Sequence, residues 1–180
     1  MSGAQAPDAL RSLVESRIRD VQDFPTPGIL FKDIGPLLAD PEAFAAIVAD
    51  GARRHTGRVD FVAGIEARGF IFGAGLAHAM GVGFIPVRKA GKLPGPTVEV
   101  SYDLEYGQAR IAVQEGAVAP GSRIVVVDDV LATGGTAAAA CALLELVGAE
   151  IVGLDVVMEL AALGGRSALV GREVYSLTVA

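Results

Sequence analysis

One cysteine, no tryptophan and an aromatic share of 6% stand out in this chain of 180 residues. A single cysteine excludes an internal disulfide framework, and its place in an Ala/Leu-rich run makes Cys141 a buried small hydrophobe rather than a nucleophile. Long apolar runs are missing as well. No stretch reaches the ~20 residues that cross a bilayer, and Met1 to Pro7 lacks the basic segment and apolar run of a secretory leader. The expectation is a cytoplasmic protein with no membrane association. Positive charge is scarce: Lys and Arg number 15 against 21 Asp and Glu, a net charge of −6. That balance argues against the broad basic stripe of a nucleic-acid surface, so any anionic ligand has to be gripped locally. His55 and His78 have no further histidine at metal-ligand spacing.

What is present is apolar and regularly punctuated. Hydrophobic residues make up 52% of the chain, which suits one folded domain over 1–180. Asp8 is placed to cap a helix whose apolar positions Leu10, Leu13, Val14, Ile18 and Val21 recur at helical spacing. Phe24-Pro25-Thr26-Pro27-Gly28 interrupts it, and a rigid loop is expected from Ile29 to Pro36. Asp40-Pro41-Glu42 starts a second helix. From Asp60 onward the pattern becomes strand, helix, strand: Phe61 to Ile65, Gly69 to Met80, then Phe84 to Val87. A Gly/Pro loop from Gly91 to Thr97 leads into Val98 to Leu104 and Ala109 to Gln114, a hairpin and candidate flap. Arg123 to Asp128, Thr136 to Val147 and Ile151 to Val157 form another such unit, and a closing strand is expected near Val174 to Val179. The predicted fold is α/β, a mostly parallel sheet with helices on both faces.

The most specific segment is Val125-Val126-Val127-Asp128-Asp129-Val130-Leu131-Ala132-Thr133-Gly134-Gly135-Thr136. It reads as a buried strand, two acids, and a loop with adjacent glycines opening a helix. Ligands of open α/β sheets sit at the carboxyl ends of strands, where this loop falls. Gly134 and Gly135 allow amides from Ala132 to Thr136 to converge on one anion at a helix N-terminus, with the Thr133 and Thr136 hydroxyls as further donors. A phosphate monoester suits that cradle, and Asp128 and Asp129 can hold vicinal hydroxyls of the attached sugar. Rival phosphate motifs are absent: there is no Gly-x4-Gly-Lys-Ser/Thr, and Gly73-Ala74-Gly75 falls inside a predicted helix.

This segment resembles the phosphoribosyl-diphosphate motif of the type I phosphoribosyltransferases. Three further stretches, Phe24 to Ile34, Gly64 to Phe70, and Arg88 to Thr97 with Leu104-Glu105-Tyr106-Gly107, are similar in order and spacing to the adenine-specific family, over roughly residues 8 to 165 by motif reading. The resemblance implies Mg²⁺-dependent transfer of a 5-phosphoribosyl group from its 1-diphosphate to N9 of adenine, giving AMP and diphosphate, by a homodimer. It also implies roles. Segment 8–36 supplies the N-terminal helix and a hood, where Leu30, Phe31 and Lys32, after Ile29, read adenine, with Leu160 on the base's other face. Arg68 aims at diphosphate and acts catalytically, in a loop whose Glu66–Ala67 peptide is cis. Arg88, Lys89 and Lys92, in the flexible segment 88–114, grip diphosphate; a solvated basic patch is the competing reading. Glu105 on the flap is the candidate acid/base, against an exposed hairpin glutamate, and Tyr106 closes over the substrates. No protein metal ligand is assigned. Lys32 replaces an arginine of some relatives, and Glu66-Ala67 replaces Asp-Ser. Two other activities compete: a hypoxanthine or guanine phosphoribosyltransferase, and a regulator that binds phosphoribosyl diphosphate as a signal.

Overall fold

The computed structural model describes residues 7–103 and 107–180. In chain order its elements are α1 (Asp8–Glu15), β1 (Arg19–Gln22), β2 (Leu30–Asp33), α2 (Gly35–Ala39), α3 (Pro41–His55), β3 (Phe61–Ile65), α4 (Gly69–Met80), β4 (Gly83–Lys89), β5 (Thr97–Asp103), β6 (Gln108–Gln114), β7 (Arg123–Leu131), α5 (Gly135–Leu146), β8 (Glu150–Glu159) and β9 (Val174–Val179), with 3-10 turns at Ala161–Leu163 and Gly165–Leu169.

Strand alternation builds the core. In β7, Ile124 and Val126 join one buried cluster, with Ala140, Leu143 and Leu144 of α5. Val125 and Val127 join the other, with Ile47 of α3 and Phe72 and Leu76 of α4. Successive side chains point to opposite faces of a strand, so a continuous apolar run marks a strand covered on both sides, as expected. The seven-stranded sheet runs β5-β6-β4-β3-β7-β8-β9. From β4 to β9 every pairing is parallel, while β5 and β6 form an antiparallel edge. The helices cover both faces, and β9 lies where the closing strand was expected.

The N-terminal region differs from the sequence expectation. Asp8 sits in the first turn of α1, behind Pro7 at the cap, and the helix ends at Glu15, short of Ile18 and Val21. Asp40 explains the early exit. Its Oδ1 caps α3 by accepting the N–H groups of Glu42 and Ala43 at 3.0 and 3.1 Å, and its Oδ2 takes Arg17 Nε at 2.6 Å. Beyond that contact Arg19–Gln22 pairs antiparallel with Leu30–Asp33, so the expected rigid loop from Ile29 to Pro36 is strand β2 followed by the short α2. The turn between the strands contains a cis Phe24–Pro25 bond. A two-residue periodicity over four-residue strands is too short to outcompete a helical pattern in the sequence, and its backbone partners are remote.

β7 and β8 also run further than expected. Asp128 pairs with Val156, Val130 with Met158 and Leu131 with Glu159. Both acids therefore lie within the strand, which continues past the expected end at Asp128 to Leu131.

Candidate functional site

A cleft with about 660 Å³ of empty space opens at the carboxyl ends of β3 and β7, between residues 65–68 and 128–137. Its floor is the phosphate-loop candidate. Gly134 has φ +85°, a left-handed conformation that side chains rarely adopt, and its carbonyl accepts the N–H of Ala138 as α5 begins. The N-terminal amides of α5 thus face the cleft from a turn only glycine enters without strain. Thr136 Oγ1 donates to the Tyr102 hydroxyl at 3.2 Å, a link between loop and flap strand that local sequence patterns do not carry.

Asp128 and Asp129 stand on the cleft wall. The Asp129 N–H donates to Asp128 Oδ1 at 2.8 Å, and Asp129 Oδ2 meets Arg68 Nε at 2.9 Å. Burial pushes both carboxyls up, Asp128 well above the usual carboxylate range with the neighbouring Asp129 charge adding to it; the Arg68 cation offsets part of the rise at Asp129. Gly69, the first residue of α4, permits close packing there: a Cβ on it would lie 2.6 Å from Val127 O and 3.0 Å from Asp128 Oδ1.

Arg68 joins this wall to the hood. Its guanidinium carbon lies 5.5 Å from the centre of the Phe31 ring, which Phe24 meets edge-on at 5.0 Å. Alternation along β2 sends Lys32 the other way: its Nζ pairs with Asp20 Oδ1 at 2.7 Å, in a groove shared with Glu15, Thr178 and Ala180. Phe31 therefore faces the Arg68 side and the Lys32 side chain does not. Leu30 is exposed and Leu160 half-buried; the Leu160 N–H donates to Leu131 O at 2.9 Å, which anchors it beside the loop.

The peptide joining Glu66 to Ala67 is cis, as the resemblance implied. The Glu66 carboxylate accepts Arg88 Nη2 at 3.0 Å and the Lys89 N–H at 2.9 Å, and hydrogen bonding from Arg88 holds its pKa below the usual value. Arg88 Nη1 also donates to Lys92 O at 2.8 Å. Arg88 is thus half-buried and engaged in joining two loops, whereas Lys89 and Lys92 are exposed. Glu105 and Tyr106 lie outside the described residues.

The structure brings the candidate loop and both acids of the sequence reading to one cleft, while the contacts of Tyr102, the tie made by Glu66 and the packing of Gly165 against Gly134 carried no signal in the sequence. His55 is buried in a structural cluster: its Nε2 lies 3.0 Å from both Asp155 oxygens, beside Arg54, whose guanidinium stacks 3.4 Å from the centre of the Tyr175 ring. Among the described residues no three His, Cys, Asp or Glu side chains gather as a metal site, and no helix is long and apolar enough to cross a membrane.

Comparison with known proteins agrees with this geometry. The phosphoribosyl transferase domain family matches residues 37–169. An adenine phosphoribosyltransferase of Streptomyces galbus is 59% identical over 160 residues, 87% of each chain. The crystal structure of adenine phosphoribosyltransferase from Thermoanaerobacter pseudethanolicus superposes with a TM-score of 0.90 at 44% identity, covering 94% of this chain and 99% of that one. The Saccharomyces cerevisiae enzyme, crystallised with an imino-altritol bisphosphate and adenine, gives a TM-score of 0.89 at 39% identity, covering 95% and 99%.

Proposed function

Because the chain belongs to the adenine phosphoribosyltransferases, we propose that its cleft transfers the 5-phosphoribosyl group of phosphoribosyl diphosphate to N9 of adenine, giving AMP and diphosphate in purine salvage. The observation that carries this reading is continuity: amide cradle, carboxylate pair and Arg68 border one opening, and the Arg68 guanidinium reaches from it to the Phe31 ring of the hood.

The 5′-phosphate rests on the amides of Ala132 to Thr136, with Thr133 and Thr136 hydroxyls adding donors. Asp128 and Asp129 accept the ribose hydroxyls, and as carboxylates they favour the positive charge that develops on the sugar when its bond to diphosphate breaks. Arg68 answers the charge on the leaving group, with Lys89 and Lys92 as exposed cations near the same end; Arg88 serves chiefly by fixing Glu66. Asp128 and Asp129 offer hard oxygens of the kind Mg²⁺ takes; they would help hold the cation at the cleft, where it would supply charge neutralisation for the diphosphate. Phe31 and Leu160 cover adenine's faces while backbone groups of Leu30 to Lys32 read its edge. That backbone readout is unaffected by the Lys32 side chain facing Asp20. Glu105 takes the N9 proton as the flap, with Tyr106, excludes water. The family likeness supports a cytoplasmic homodimer, which sedimentation at micromolar concentration tests.

The deciding assay offers the purified protein phosphoribosyl diphosphate, Mg²⁺ and equal amounts of adenine, hypoxanthine, guanine and uracil. AMP as the dominant nucleotide is expected. IMP or GMP in its place would overturn the hood assignment, and no nucleotide despite tight donor binding would favour a regulator. Glu105→Ala should lower kcat by about 10²–10⁴-fold, the usual range for a lost acid/base.

A further inference from the structure

The 3-10 turn Gly165–Leu169, to which the sequence assigned no role, lies against the phosphate loop. The approach is mutual. A Cβ on Gly134 would stand 2.3 Å from Gly165 O, and a Cβ on Gly165 would stand 2.3 Å from Ala132 O. Two backbone segments meet here at a separation that leaves room for no side chain on either.

An ion pair fixes the turn in place. Arg166 presents its fork to Glu159, with Nε 2.9 Å from both carboxylate oxygens and Nη2 2.7 Å from Oε2. The same guanidinium donates through Nη1 to Val174 O at 3.1 Å, and Ser176 Oγ donates to Glu159 Oε2 at 3.1 Å. Glu159 is 7% exposed and sits at the end of β8, in register with Leu131, the residue before Ala132. The clamp therefore references the turn to the same sheet edge from which the loop departs. Bidentate geometry around a mostly buried carboxylate distinguishes it from a loose surface pair. Hydrogen bonding from Arg166 also keeps the Glu159 pKa below its usual value, so the pair stays ionised at neutral pH.

We propose that Arg166 and Glu159 are positioning residues for the 5′-phosphate: they press the Gly165 turn against Ala132 to Gly134 and so set the loop amides before the ligand arrives. Neither side chain need touch substrate. An amide cradle is effective when its donors are already aimed, because collecting them on binding costs ordering entropy. Releasing the turn removes the backing of the loop and leaves the diphosphate end at Arg68 untouched. The inference rests on the phosphosugar reading of the cleft given above.

The test uses calorimetric affinities of the full chain for ribose 5-phosphate, AMP and, as control, inorganic diphosphate, in wild type, Arg166→Met, Glu159→Gln and Arg166→Lys. Ribose 5-phosphate and AMP should bind about ten- to a hundredfold more weakly to Arg166→Met and Glu159→Gln, the scale of a small displacement propagated to a site. Diphosphate affinity should hold, and KM for the donor should rise with little change in kcat. Arg166→Lys, which keeps the charge and loses the fork, should fall between and stays folded where the harsher variants do not. Unchanged ribose 5-phosphate affinity, or an equal loss for ribose 5-phosphate and diphosphate, would overturn the clamp. Wild-type protein that binds neither ribose 5-phosphate nor AMP would instead overturn the phosphosugar reading, and the clamp with it.

Discussion

Asp128 is a half-buried carboxyl that the fold keeps protonated more readily than water would, chiefly because its surroundings desolvate it. Its folded pKa is raised, so the stability it contributes is full below the ordinary carboxylate value and is lost as pH rises through the folded value. Asp128→Asn removes that loss. The variant should melt above wild type at pH 8, by ~2–4 °C per kcal/mol relieved in a chain of this size, and the gap should close towards pH 4 in a thermal melt followed by circular dichroism. Its donor affinity should fall at the same time, because the amide cannot offer two acceptors to the ribose. Stability gained together with donor affinity lost is the outcome expected of a carboxylate kept for binding. Gly134 carries the opposite lesson. Gly134→Ala meets both a left-handed backbone and the Gly165 carbonyl, so AMP binding should drop beyond measurement while diphosphate binding persists. The sequence marked Gly134 through its neighbours in the motif, but the partner that makes it irreplaceable lies 31 positions along the chain, where no local pattern reports it.

Strands and helices show the same division between local and remote causes. β7 and α5 were legible because a continuous apolar run followed by an Ala/Leu pattern has few other solutions, and Asp40 was legible as a cap because its reason sits two and three residues away. β1 and β2 were not, since their pairing joins Arg19 to Asp33 and their alternation is too brief to read. Likewise the extension of β7 through both acids depends on β8 continuing beside it. The hairpin of β5 and β6 was foreseen, yet its attachment to the phosphate loop through Tyr102 and Thr136 was not. That attachment has a measurable consequence. Tyr102→Phe removes one hydrogen bond worth roughly 0.5–1.5 kcal/mol, so KM for phosphoribosyl diphosphate should rise about two- to tenfold. Steady-state kinetics at saturating adenine reads this directly, and an unchanged KM would show that the flap strand and loop act independently.

Across the whole molecule, α3 is fastened to β8 and β9 by charge as well as by apolar packing. Asp50 accepts from Arg53, Arg54 and the Tyr175 hydroxyl, and Arg54 reaches Asp155 at 2.5 Å, with His55 on the same carboxylate. Removing one member leaves buried charge unpaired, so Asp155→Ala should cost about 3–5 kcal/mol in chemical denaturation, far more than a change at an exposed pair such as Arg123 and Asp60. Cys141, wholly buried in the opposite layer with its thiol pushed up to about 11, gives an internal gauge of the same transition. A thiol reagent at pH 8 should leave it unmodified in native protein and label it in step with unfolding. The glycine contact between the phosphate loop and the Gly165 turn also bears on biosynthesis. The loop leaves the ribosome well before the segment that backs it, and the clamp needs Val174 and Ser176 as well. A chain truncated after residue 160 should therefore contain the complete motif yet retain little affinity for ribose 5-phosphate, and competence should need Val174 and Ser176 in place behind the clamp.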